Sequence, residues 1–228
     1  MKPDVEGMDR EVVFRDRRDA GDALAARLER YRGSNALVLG LPRGGMVVAA
    51  QVARALNAEL DVLVSRKLGS PVSAELGIGA VTASGARFLN EDVVSELEVS
   101  EPYIAAVTKV QQAEAQRREA LFRGDRPPLS MAGRTVILVD DGLATGGTMQ
   151  AAVRAARQQS PARLVVAVPV GSPQACAALR AQADEVICLQ EPEYFGAVGS
   201  WYEHFEQTED SEVTELLAEA ERRLREER

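Results

Sequence analysis

Residues 136–149 read Val136-Ile137-Leu138-Val139-Asp140-Asp141-Gly142-Leu143-Ala144-Thr145-Gly146-Gly147-Thr148-Met149. The apolar run, which begins at Thr135, has the pattern of a strand buried on both faces. It ends at two acids and a glycine loop, after which Thr148 to Gln159 has helical spacing. Strand, glycine loop, helix is the repeating unit of a parallel α/β sheet. The glycines let the backbone curl until successive amides point inward, the threonines add hydroxyls, and the helix start adds amides of its own. The loop is an anion cradle sized for a phosphate.

The same order recurs on either side. Asp19 is expected to cap a helix running to about Arg32, with Gly33 as its stop. Ala36 to Leu41 reads as a strand, Pro42-Arg43-Gly44-Gly45 as a loop and Met46 to Leu56 as a helix. Leu60 to Ser65 reads as a second buried strand followed by the loop Arg66-Lys67-Leu68-Gly69-Ser70-Pro71, and Ile78–Thr82 with Arg87–Leu89 as a hairpin around Ser84-Gly85. Ser100 should cap a long polar helix ending near Phe122 and Gly124. Further strands are expected at Arg163–Val168 and Glu185–Leu189, with a helix starting at Ser172-Pro173 between them. From about Asp210 the tail carries Val213, Leu216, Leu217, Ala220 and Leu224 on one helical stripe, to be packed on the core or on a twin subunit. The expected fold class is α/β, a mainly parallel sheet of about five strands flanked by helices. Residues 1–228 are read as one domain, with a core of about 33–189, the N-terminal helix 19–32 and a C-terminal hood and tail, 190–228, packed on it.

Composition narrows the function classes. The chain has 228 residues, 46% hydrophobic and 27% charged, and no apolar run approaches the ~20 residues of a membrane span. Its 27 Lys and Arg against 35 Asp and Glu leave a charge of −8, which opposes non-specific binding to nucleic acid or anionic lipid. Any polyanion must be met by a local site. The opening MKPDVEGMDREVVF has acids where an export signal needs an apolar core, so a cytoplasmic protein is expected. Cys176 and Cys188 are read as buried free thiols; with a single histidine, His204, they have no zinc spacing.

Ligands of open parallel sheets bind beyond the carboxyl ends of the strands. Three loops leave strand ends here, at Pro42–Gly45, Arg66–Gly69 and Asp140–Thr148, and all three are expected to line one rim. Gly142 through Gly147 matches the first part of the nucleotide P-loop, but Thr148-Met149 stands where that pattern requires Lys followed by Ser or Thr. ATP or GTP hydrolysis is disfavoured. Adjacent carboxylates before a phosphate cradle need hydroxyls or a metal ion opposite them. A ribose 5-phosphate meets both needs, its phosphate in the cradle and its 2- and 3-hydroxyls on the acids.

The stretch Val136–Met149 resembles the phosphoribosyl pyrophosphate signature of type I phosphoribosyltransferases, and Ala-Thr-Gly-Gly-Thr-Met is similar to the adenine enzymes in particular. Leu-Pro-Arg-Gly-Gly resembles their pyrophosphate loop, and Ser65–Gly69 the strand end leading into their mobile catalytic loop. The strings Arg66–Gly69, Leu76–Val81 and Ala197–Tyr202 resemble a group of bacterial predicted phosphoribosyltransferases of unsettled acceptor. The resemblance implies that Asp140 and Asp141 hold the ribose hydroxyls and stabilise positive charge as the bond to pyrophosphate breaks. It places the 5-phosphate on Ala144, Thr145, Gly146, Gly147 and Thr148, and the pyrophosphate on Arg43 and the Gly44 and Gly45 amides, with Arg66 and Lys67 neutralising it. Mg2+ is expected, bound mainly through the substrate with Asp140 and Asp141 as candidate ligands.

The 6-oxopurine enzymes of this class carry an acid where Ala144 stands, so hypoxanthine and guanine are disfavoured. Tyr194, Phe195, Trp201, Tyr202 and Phe205 concentrate half of the aromatic residues after the last strand. They read either as an acceptor hood that stacks a flat base or as an aromatic mini-core. Glu75 and His204 are the candidates for a proton acceptor, with solvated surface the simpler reading of both. The leading function is transfer of a phosphoribosyl group to a nitrogenous base, the protein acting alone or as a homodimer. The alternatives are a non-catalytic regulatory module that keeps the sugar phosphate site, weakened as a nucleic-acid binder by the acidic charge, and a pyrophosphokinase, which would need an ATP site.

Overall fold

The computed structural model describes residues 14–74 and 76–226. The opening stretch before Phe14, read above for an export signal, and the candidate Glu75 lie outside the described residues. Helix α1 (Arg17–Arg27) precedes β1 (Ala36–Gly40), α2 (Gly44–Leu56) and β2 (Glu59–Val62). An excursion follows, made of β3 (Ser65–Gly69), β4 (Gly77–Thr82), β5 (Arg87–Leu89) and α3 (Glu91–Glu96), before the long α4 (Glu101–Arg123). The chain then alternates β6 (Thr135–Val139), α5 (Gly147–Arg157), β7 (Arg163–Val170), α6 (Pro173–Arg180) and β8 (Glu185–Gln190), and ends in α7 (Asp210–Glu226).

The main sheet has five strands, every pair parallel, as the sequence predicts, in the order β2-β1-β6-β7-β8. Each strand alternates two sets of side chains. Val38, Ile137, Val139, Val165 and Ala167 face α1, α2 and α7, while Leu37, Leu39, Val136, Leu138, Leu164 and Val166 face α5 and α6. With helices over both faces, few strand positions are left to polar residues, which is why the strands read as unbroken apolar runs. The stripe on α7 is buried against this chain's own β2, α2 and α4.

Three local expectations are corrected. Asp16, not Asp19, caps α1, accepting from the Asp19 amide at 2.8 Å, while Asp19 returns a carboxylate to the Arg15 amide in a near-reciprocal box. That helix ends at Arg27, and a 3-10 turn, Glu29–Tyr31, carries the chain to Gly33. The third correction concerns Arg66-Lys67-Leu68-Gly69, which is no loop on the rim of the main sheet but strand β3 of a separate sheet, β3-β4-β5. Ser65 belongs to that strand and not to β2, so the second strand of the main sheet is shorter than expected. Leu68, Ile78 and Val81 pack there with Ile104 of α4 as a small second core.

Residues 191–209 form a cap at the carboxyl end of β8, with a 3-10 turn at Val198–Trp201. Phe14 pairs with Tyr202 across the cap, its amide donating to the Trp201 carbonyl and its own carbonyl accepting from Glu203.

Candidate functional site

Strands β1 and β6 are neighbours in register through Gly40 and Val139, and the Leu41 amide donates to the Val139 carbonyl at 2.9 Å. The loops beyond them, Pro42–Gly45 and Asp140–Thr148, therefore leave the sheet side by side. They touch closely. A Cβ at Gly44 would lie 2.0 Å from Asp141 Oδ2, and one at Gly45 would lie 2.7 Å from Asp140 Oδ1, so only glycine allows this approach.

Gly146 precedes α5 in the left-handed region (φ 74°), and the first helical bond runs from the Gln150 amide to the Gly146 carbonyl. The Gly147, Thr148 and Met149 amides consequently have no helical acceptor, the condition of an anion-binding helix start. Ala144 and Thr145 are exposed beside them. The far side of the loop is stitched to β7 and α6: Leu143 donates to Val170, Ser172 to Leu143, and the Ser172 hydroxyl to the Ala144 carbonyl at 2.7 Å.

The two acids differ. Asp141 Oδ2 accepts from Arg17 Nε at 2.7 Å, with the two side chains 15% and 12% exposed. Asp140 accepts the Asp141 amide at 2.8 Å, and burial together with the neighbouring Asp141 charge holds its carboxyl well above the usual range. The Arg17 guanidinium also lies 3.8 Å over the Phe205 ring and donates to the Glu206 carbonyl. Nothing in the sequence singled out Arg17 from the charged run around it, since its partner lies 124 positions away.

Arg43 immediately precedes α2, after a cis Pro42–Arg43 peptide, and its Nη1 is 3.7 Å from Asp210 and 3.9 Å from Glu209 at the start of α7. These acids were not anticipated as partners. Arg66 donates to Gln111 of α4 at 3.0 Å, and with Lys67 it borders a hollow of about 360 Å³ that also contains Tyr103 and Gly69. The structure thus brings Arg43, Gly44, Gly45, Asp140, Asp141 and the Ala144–Thr148 cradle together, and turns Arg66 toward α4.

The aromatic cluster divides. Tyr202 is buried, packs with tilted rings against Phe14 and Phe205, and donates its hydroxyl to the Asp141 carbonyl at 2.6 Å. The Trp201 indole donates to the Phe195 carbonyl. Tyr194 is 78% exposed. Phe195 and Gly196 close a cleft of about 470 Å³ over Ala144, Thr145 and the first turn of α6. His204 is exposed, 3.8 Å from Glu206. A larger hollow, about 650 Å³, lies among Asp61, Ser84, Arg123 and Ser130 and shares no residue with these loops.

Comparison with known proteins identifies the family. A family model described as "Phosphoribosyl transferase domain" matches residues 16–204. A protein of Mycobacterium tuberculosis (strain H37Rv) named "Putative phosphoribosyl transferase Rv0571c" is 46% identical over 210 residues, covering 92% of this chain and 47% of that protein. An adenine phosphoribosyltransferase of the same organism is 34% identical over 152 residues, covering 67% of this chain and 55% of the enzyme. The chain spans about half the length of the curated relatives it matches. The crystal structure of the protein TT1426 from Thermus thermophilus superposes with a TM-score of 0.78 at 42% identity, covering 91% of this chain and 99% of that one. On sequence, fold and the loops that the fold brings together, the chain belongs to the phosphoribosyl transferase domain family.

Proposed function

We propose that this chain binds phosphoribosyl pyrophosphate across the Pro42–Gly45 and Asp140–Thr148 loops and transfers the phosphoribosyl group to a nitrogenous base, releasing pyrophosphate. The observation that carries this reading is the contact of Gly44 and Gly45 with the two acids, which sets a pyrophosphate-sized loop against a ribose-sized one. The 5-phosphate takes the amides of Gly147 and Thr148 and the hydroxyls of Thr145 and Thr148. The ribose hydroxyls donate to Asp140 and Asp141. As the base nitrogen attacks C1 and the bond to pyrophosphate breaks, the ribose becomes cationic, and the half-buried carboxylates stabilise that charge more than they stabilise the ground state. Arg43 turns from Glu209 and Asp210 to the pyrophosphate; Arg66, which the structure holds on Gln111 of α4, has to leave that bond before it and Lys67 can add positive charge on the leaving-group side.

Asp140 and Asp141 offer two hard oxygen donors, too few for an all-protein cage but suited to a magnesium ion whose other ligands are substrate oxygens and water. When bound, that ion would neutralise charge on the departing pyrophosphate. The acceptor lies in the cleft under Phe195, whose ring supplies a stacking face. Ala144 puts no acid there for a 6-oxopurine, so adenine-like bases lead the panel of acceptors.

The test is a set of nucleobases incubated with phosphoribosyl pyrophosphate and magnesium, read by pyrophosphate release, alongside calorimetric binding of the sugar phosphate. Release with one base establishes the transfer. Tight binding without release from any base would replace it by the regulatory module.

A further inference from the structure

We propose that Cys176, Cys188 and Glu191 form a binding site for a thiophilic divalent cation of the zinc class, set behind the phosphate loop and separate from the magnesium chemistry. The two cysteines are the only ones in the chain. Cys176 lies on α6 and Cys188 on β8, and the packing of helix on strand brings both Sγ atoms and a Glu191 carboxylate oxygen within 4.8 Å of one another. Zinc bonds of about 2.3 Å to sulfur and about 2.0–2.2 Å to oxygen require tetrahedral ligand atoms about 3.5–3.8 Å apart. Small side-chain adjustments close the cluster to that size. Three protein ligands leave a fourth position for water.

The surroundings suit such an ion. Two thiolates and a carboxylate carry three negative charges, which a divalent cation and Arg180 balance. Arg180 already donates to Glu191 through both terminal nitrogens, the outer partner that fixes a ligating carboxylate. Cys176 is fully buried while Cys188 and Glu191 reach the surface, so the site has an entry path. Cys188 donates its thiol proton to the Gln190 carbonyl at 3.0 Å, a proton that a bound cation would displace.

The cluster touches the loop through one residue. A Cβ at Gly171 would lie 2.7 Å from Cys176 Sγ and 3.3 Å from both Cys188 Sγ and Leu143 Cβ. Gly171 lies between Val170 and Ser172, which hold Leu143 and Ala144 by hydrogen bonds. Occupancy would stiffen the seat of the loop. The site itself does not depend on the transfer reaction.

The experiment titrates the fully reduced protein with Co2+, a spectroscopic substitute for Zn2+, and then displaces it with Zn2+. The expected result is one equivalent per chain with thiolate-to-cobalt absorption. Cys188→Ser and Glu191→Gln, each with an unchanged metal-free melting temperature, should weaken Zn2+ binding at least about tenfold. Absence of thiolate-to-cobalt absorption under excess Co2+, or wild-type affinity in both variants, overturns the proposal. So does a reduced protein that takes up no cation but closes a Cys176–Cys188 disulfide when given a small-molecule disulfide, a result that makes the pair a redox couple instead.

Discussion

Asp140 illustrates how one side chain can be useful to a site and costly to the fold. Its carboxyl is raised by burial and by Asp141, so the folded protein retains this proton at pH values where the unfolded chain has lost it. Stability from this group is therefore lost as pH rises from the ordinary aspartate range through the raised value. Asp140→Asn should melt with the wild type in acid, where both are neutral at this position, and above it by neutral pH in the absence of ligand. A constant offset at every pH would contradict this. Tyr202 acts in the opposite sense, bracing the Asp141 carbonyl with its hydroxyl while its ring fills the space against Phe14. Tyr202→Phe keeps the ring and should lower the unfolding free energy by about 1 kcal/mol in urea titration. No loss in that titration would show that the hydroxyl braces nothing.

At the scale of elements, the start of α2 shows a conflict between helix propensity and site. Alanine in a helix is favoured over glycine by about 1 kcal/mol, yet at Gly44 the added carbon would lie 2.0 Å from Asp141 Oδ2 and 2.6 Å from Arg17 Nε. Gly44→Ala should lower the melting temperature in spite of its propensity and abolish calorimetric binding of phosphoribosyl pyrophosphate, because Asp141 must move. A stabilised variant with normal binding would separate the two loops. Strand β3 carries a related lesson. Ser65-Arg66-Lys67-Leu68-Gly69 has one apolar residue and a turn-like end, so its local signal is that of a loop. It becomes a strand because β4 supplies a ladder and Leu68 finds Ile78 and Ile104 to pack on, partners that propensity does not contain.

Across the whole molecule, α7 joins the tail to the site. Its apolar stripe covers α2, α4 and β2, and Arg223 donates to the Ala53 and Ala58 carbonyls that end α2. Asp210, its first residue, and Glu209 just before it hold Arg43. Such half-exposed pairs contribute about 0–1 kcal/mol and are screened by salt. The double variant Glu209→Gln and Asp210→Asn should therefore bind pyrophosphate up to about fivefold more tightly at low salt, with the gain shrinking as salt is added. Equal affinity at low salt would mean that the latch costs the ligand nothing.

The sequence by itself determined the repeated strand-loop-helix units, the strands buried on both faces, the phosphate cradle and the acids before it. These are local patterns, written in residues within about a dozen positions of one another. The tertiary structure alone decided that Arg17 pairs with Asp141, that Arg43 meets Glu209 and Asp210, that Arg66 faces α4, and that two cysteines without metal spacing come within 4.8 Å of each other and of Glu191. Each of these depends on which elements the sheet order makes neighbours, and hydrophobic periodicity carries the face of an element without carrying its neighbour. Tyr202 and Phe195 divide for the same reason: both are aromatic, but the cap packs Tyr202 inward on Phe14 and leaves Phe195 to line the cleft beside Ala144.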